Sequence, residues 1–171
     1  MPRRIFVAAL LAVAACTPTF NWREIAIAPA GLHTMFPCKP DQVEHKSAFS
    51  PGREVVLHAT GCESGGAAFV VVYADMGNAG DLANALSQWK QASLATTKST
   101  AQAELPFLPK GALGLLQSVK LRADGQRPDG TALQSQAAYF ARGTTAFQAV
   151  VYSSRLKPEM TEPFFAGLRF E

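Results

Sequence analysis

Charge is scarce in this sequence, and what there is does not cluster. Asp, Glu, Lys and Arg make up 17% of the 171 residues and no three Lys or Arg adjoin, so the basic stripe that a nucleic-acid-binding surface needs is missing. His33, His45 and His58 fall in three separate segments, which gives no His-Glu-x-x-His zinc motif and no other metal signature. There is no Gly-rich phosphate loop. Paired carboxylates at acid–base spacing are also lacking, since Asp124 and Asp129 share one turn, where such residues ordinarily serve as turn formers. Gly61-Cys62-Glu63-Ser64-Gly65 has Glu63 where a nucleophile elbow needs serine. Read this way, the residues indicate no metal, no cofactor and no catalytic constellation. The apolar run Ile5–Ala15 is too short to cross a bilayer, which takes about 20 residues of helix.

What that run does have is the right company. Arg3 and Arg4 precede it and small residues end it, the pattern of a secretory signal peptide. Taking Arg3 and Arg4 away from the 16 Lys and Arg leaves a near balance with the 13 Asp and Glu, so the basicity of the whole chain belongs largely to the leader. The exit, Val13-Ala14-Ala15-Cys16, resembles the lipobox of bacterial lipoproteins. That resemblance covers only the N-terminal segment. It implies cleavage before Cys16, a diacylglycerol on its thiol and a further acyl group such as palmitate on its new amino group. Two or three acyl chains bury enough methylene groups for stable membrane attachment, at about 0.8 kcal/mol each. Cleavage that leaves Cys16 as a free thiol is the plain alternative. Thr17 stands where an Asp would imply inner-membrane retention, so the resemblance points to the outer membrane of a Gram-negative host, with the protein facing the periplasm. The expected organisation is a signal peptide over 1–15, a tether over 16–22 and one domain over 23–171.

With Cys16 lipidated, Cys38 and Cys62 remain as an even pair in an oxidising compartment, where a disulfide is expected. The rival is a reactive cysteine. His58 lies four residues before Cys62 on an expected strand, so the two side chains can share a face, as a Cys–His nucleophile requires.

Downstream, short apolar strands alternate with turn signals. Strands are expected over Glu24–Ala28 and Leu32–Phe36, then over Arg53–Thr60 after Ser50-Pro51-Gly52. Ala67–Ala74 holds Phe69-Val70-Val71-Val72-Tyr73, dense enough for a central strand covered on both faces. A helix follows from about residue 81 to 95. Asp81 is its expected N-cap, and Leu82, Leu86 and Trp89 recur with helical period, with Ala85 and Ser93 on the same stripe. Thr96–Pro109 reads as a long connection back to the sheet. Three antiparallel strands are then expected over Leu113–Arg122, Leu133–Arg142 and Ala146–Ser153, with Ala138, Phe140, Phe147, Ala149 and Val151 facing inward. A short terminal helix is expected from near Thr161, with Pro163 early in it. The order defines an α+β fold, an antiparallel sheet with a main helix and a short C-terminal helix packed on it.

At this point the chain resembles the Mog1/PsbP-like superfold. The shared features are the first strand pair ending in Phe36-Pro37-x-x-Pro40, the central strand to Tyr73 and the helix after it. The final hairpin and the Phe164-Phe165…Leu168-Arg169-Phe170 tail complete the likeness. Members are mostly accessory or binding proteins without shared catalytic residues, so the resemblance implies a sandwich and transfers no site.

Three classes of function remain. The first is a non-enzymatic accessory or binding module, whose partner is an envelope protein or a small hydrophobic molecule held near Trp89 and Phe107. The second is a structural spacer. The third is an envelope hydrolase built on His58 and Cys62. The expected intact mass of membrane-extracted protein is that of a chain starting at acylated Cys16, with Cys38 and Cys62 blocked to alkylation until reduced. A mass without acyl groups would refute the anchor.

Overall fold

A computed structural model describes residues 19–171; the lipobox and Cys16 lie outside them. The first two strands, β1 (Arg23–Ile27) and β2 (Leu32–Phe36), pair antiparallel across the turn that contains Pro29-Ala30-Gly31. Then come β3 (Asp41–Ser50), β4 (Arg53–Ser64) and β5 (Ala67–Asp75), a 3₁₀ turn over Ala79–Asp81, and helix α1 (Leu82–Thr96). Strands β6 (Thr100–Pro106), β7 (Val119–Gln126), β8 (Ala132–Arg142) and β9 (Thr145–Ser153) follow. Helix α2 (Pro158–Ala166) and a short β10 (Arg169–Phe170) close the chain. Seven strands form one antiparallel sheet in the order β3-β4-β5-β9-β8-β7-β6, and β1-β2-β10 form a second. The fold is thus α+β, with two helices on antiparallel sheets.

Side-chain alternation assigns the two faces of the large sheet. On one, Phe69, Val71 and Tyr73 of β5 meet Phe147, Ala149 and Val151 of β9 and Ala138 and Phe140 of β8, all buried. The small sheet and α2 cover this face through Ile27, Leu32, Phe36, Phe164, Phe165 and Phe170. Rings dominate the seam: Phe140 stacks on Phe147 at 5.3 Å, Phe170 meets Phe147 at 5.1 Å, and Phe164 bridges Phe36 at 5.5 Å and Phe69 at 5.7 Å. On the other face, α1 lays Leu82, Ala85 and Leu86 over Val119, Leu121, Tyr139 and Val150. The expected inward faces of the final hairpin are the observed ones. Its two-residue turn puts Gly143 at φ +59°, in the left-handed region that hairpin turns of this length use.

Cys38 and Cys62 are disulfide-bonded, with Cα atoms 6.1 Å apart. The bond ties the segment after β2 to β4 and so joins the two sheets. Cys62 lies within β4, because the strand expected over Arg53–Thr60 runs on to Ser64. Thr19–Trp22, read from the sequence as tether, are part of the domain. Phe20 and Trp22 pack edge-on to Phe69 at 6.3 and 5.7 Å, and the Asn21 N–H donates to the Pro37 carbonyl.

Several expectations give way. Asp41–Ser50 is a strand with no counterpart in the sequence reading, and Thr100–Pro106 is the opposite edge strand rather than part of a connection. Both are largely exposed on their two faces, so neither carries an alternating apolar signal. β7 begins at Val119, not Leu113; Leu113 and Leu116 belong to an exposed loop, Leu116 at 95%. α2 starts at Pro158, which suits a first helical position, and Pro163 lies in its interior. Asp81 occupies the N-cap position of α1, yet its carboxylate makes no cap hydrogen bond; it pairs with Arg53 at 2.6 Å. No helix among the described residues is long and apolar enough to cross a membrane.

Phe147, fully buried and touching three other rings or more, is the most exacting test of this packing. Phe147→Ala is expected to cost about 3–5 kcal/mol in urea unfolding with the disulfide intact, and a cost under about 1 kcal/mol would refute the central role of the seam.

Candidate functional site

The apolar stripe of α1 fades along its length. Leu82, Ala85 and Leu86 are buried, Trp89 is half-buried, and Ala92, Ser93 and Thr96 follow. Such small side chains cannot fill the space between a helix and a sheet as leucines would. A groove of about 390 Å3 remains. Phe49 of β3, Val55 and Leu57 of β4 and Val72 of β5 line it from the sheet. Gln88, Trp89, Ala92, Ser93 and Thr96 form the helix wall, and Gln148 and Tyr152 of β9 complete it.

The helix wall is braced at its N-terminal end and at its middle. At the N-terminal end of α1, Arg53 pairs with Asp81, donates to the Met76 carbonyl and lies 5.1 Å over the Phe49 ring. Midway, Lys90 of α1 holds Glu104 of β6 at 2.8 Å. Beneath the helix, Gln148 Nε2 donates to Ser93 Oγ at 2.8 Å and to Tyr139 Oη at 3.3 Å. Toward its C-terminal end the groove meets a wider recess of about 760 Å3 through shared Thr96, Thr97 and Tyr152. Glu63, Ser64, Gly65, Gly66, Arg127 and Leu133 line this second part.

The two aromatic residues singled out from sequence are not brought together. Trp89 belongs to the face under α1, whereas Phe107 packs on the opposite face, 6.3 Å from both Phe140 and Phe165. There Lys120 lies 5.0 Å over the Phe107 ring in a shallow recess of about 240 Å3. A single pocket shared by Trp89 and Phe107 is therefore corrected to a groove on Trp89 alone.

The Cys62–His58 nucleophile is likewise not formed, because the Cys62 sulfur is bonded to Cys38. His58 instead stacks on Tyr73, with centroids 4.7 Å apart, and its Nδ1 lies 3.0 Å from Glu44. Burial, and secondarily the Glu44 charge, push the Tyr73 hydroxyl up from its ordinary range. These side chains edge an open recess beside Pro29. His33 sits apart in the small sheet between Glu24 at 3.2 Å and Glu171 at 3.1 Å. Arg169 and then His33 hold the Glu24 carboxyl below its usual value. His45 is on the edge strand β3, so the three histidines do not converge. No group of three metal-ligating side chains occurs among the described residues.

No family model matches the chain, and no curated protein does. Among solved structures it is similar to the crystal structure of PA94, a protein of unknown function from Pseudomonas aeruginosa. The identity is 16% and the TM-score 0.45, over 83% of this chain and 89% of that one.

Tyr139 gives the site a measurable handle. Burial, opposed by its hydrogen bonds to Ser93 and Gln148, pushes its hydroxyl up to about 12. A group that ionises less readily when folded contributes nothing adverse below its unfolded value of about 10, and costs stability as pH rises from there toward the folded value. The native protein is therefore expected to lose stability between about pH 10 and pH 12, and Tyr139→Phe to remove part of that slope in urea unfolding. An unchanged slope would refute the assignment.

Proposed function

We propose that this protein is a lipid-anchored, non-enzymatic binding module of the periplasm, attached through acylated Cys16 to the outer membrane. Its groove under α1 holds a small hydrophobic ligand. The observation that carries the reading is the groove itself: Phe49, Val55, Leu57, Val72 and Trp89 surround a space that small side chains on α1 leave unfilled. Ligand sites are typically concave and mostly apolar, with a few polar groups that orient the guest. Gln148, Ser93 and Tyr152 supply those groups.

A purely structural spacer needs no such cavity, and the packing of the Trp89 face favours the binder over it. The hydrolase alternative loses its nucleophile to the Cys38–Cys62 bond. Kinship with the Mog1/PsbP-like superfold is part of the proposal. It is supported by the order of the elements, with a strand pair first, a helix after the central strand and a closing antiparallel hairpin with a terminal helix.

The test is fluorescence titration of the full chain with N-phenylnaphthylamine, a neutral dye that brightens in apolar sites. Saturable binding is expected, and Ala92→Phe, which fills the groove from an exposed helix position, is expected to weaken it at least about tenfold, or 1.4 kcal/mol. Absence of saturable binding, or binding indifferent to Ala92→Phe in a normally folded variant, would refute the reading.

A further inference from the structure

The groove has a direction, and that direction is set by where the chain leaves the domain. Ser64 Oγ donates to the Thr19 carbonyl at 2.7 Å, and Phe20 packs so closely on Gly65 that a Cβ there would come within 2.5 Å of its ring. Gly65 also has φ +60°, so both backbone conformation and space require glycine. The Ser64-Gly65-Gly66 turn that fixes the start of the described chain is thus also one lip of the groove's wide end. Cys16 is three residues upstream of Thr19. Three Cα–Cα steps of 3.80 Å span at most about 11 Å. An acyl group on Cys16 therefore holds this end of the molecule against the bilayer.

The lining changes in the same direction. Near Trp89 it is apolar, with Phe49, Val55, Leu57 and Val72. Charged side chains, Glu63 and Arg127, enter only at the membrane-side mouth, beside Ser64 and the apolar Ala67, Ala68 and Leu133, while Thr96 and Thr97 line both parts. Trp89 lies seven residues before the end of α1, about 10 Å up the groove at 1.5 Å per residue. An uncharged interior opening into a wider mouth that carries charge fits a single-chain amphiphile whose tail lies along Trp89 and whose head stays in the wet opening. The mouth carries Arg127 and Glu63, charges of both signs, and the last turn of α1 adds negative end-charge of its helix dipole. Selection therefore falls on the chain rather than on the sign of the head.

We propose that the groove takes single acyl chains directly from the membrane to which the protein is tethered, its mouth held at the bilayer by the short link from Cys16 to Thr19. This deepens the binding reading above and rests on it and on lipidation of Cys16. Thr97 and Arg127 line the mouth, and the polar Lys98, Ser99 and Asp129 follow them closely in sequence. They do not carry Trp89 into hydrocarbon, so an acyl chain meets it only by coming up the groove.

The experiment uses the lipidated full-length protein in phospholipid vesicles, with Trp22→Phe leaving Trp89 as its one tryptophan. Bromine quenches tryptophan on near contact. Dibromostearic acid in the bilayer, and separately a lysophospholipid with the same brominated chain, are expected to remove most of the Trp89 fluorescence. Whichever does so names the source of the chain. Ala92→Phe is expected to abolish the quenching. Inserting fifteen Gly and Ser residues between Pro18 and Thr19, a link of about 20 Å on average, is expected to weaken it. Three results overturn the proposal. The first is no quenching by either lipid while the neutral dye still binds, which leaves the binding reading intact. The second is quenching indifferent to the insertion. The third is a groove closed to dye and lipid in the lipidated protein but open to both in Cys16→Ser, which would mean that the protein's own acyl chain fills it. Loss of dye binding in every form sinks the underlying reading instead.

Discussion

Between the two sheets the contact is made largely by rings, and the rest of the structure follows from how they interlock. Phe140 and Phe147 stack across the β8–β9 pair, Phe170 closes over both, and Phe164 reaches from α2 to Phe36 and Phe69. Large aromatic faces bury much area for few torsions, and their offset or edge-on packing fixes relative position as well as distance. The small sheet is only two strands and a two-residue addition, too little to stand without this seam. The Cys38–Cys62 bond joins the same two layers covalently. On the other face, α1 has its buried residues, Leu82, Ala85 and Leu86, in its first half, and Trp89 and Leu94 pack there only partly buried.

That division explains what the sequence makes legible. Strands buried on one or both faces announce themselves: Phe69-Val70-Val71-Val72-Tyr73 and the alternation of Phe147, Ala149 and Val151 are direct imprints of burial. Edge strands leave no such imprint. Asp41-Gln42-Val43-Glu44-His45-Lys46 alternates nothing, because water reaches both of its faces, and its pairing with β4 is carried by backbone groups common to every residue. Thr100–Pro106 reads as a connection for the same reason, although charge and proline are what an exposed edge ordinarily carries. Leu113 and Leu116 mislead in the opposite sense: apolar residues draw a strand into a segment that the fold leaves as a loop.

The disulfide follows from counting cysteines, whereas the groove had only a faint signal. Period alone gives Trp89 the same standing as Leu86, and nothing local tells a half-buried tryptophan beside a cavity from one in a core. Phe107 has still less to distinguish it, since its place on the opposite face depends on β6 being a strand. The signal lies instead in the continuation of the stripe. After Trp89 the positions that should repeat leucine hold Ser93 and Thr96, and the exposed Ala92 beside them adds no bulk.

Such a change of residue type has a cost, and the cost argues for use. Serine and threonine in a helix interior compete with the helix for their own backbone, as Ser87 does by donating to the Ala83 carbonyl four residues back. Filling the space with leucine would bury more apolar surface and favour helix formation at once. Sequences tend to depart from the locally stabilising choice where function requires it. Here the departure is confined to one half of one helix, facing a floor of Val55, Leu57 and Val72 that is as apolar as a core. Meanwhile Arg53–Asp81 and Lys90–Glu104 brace the same helix at points outside the space. A helix held at its N-terminal end and its middle, and thinned beyond them, keeps a cavity open without needing the cavity for its own stability.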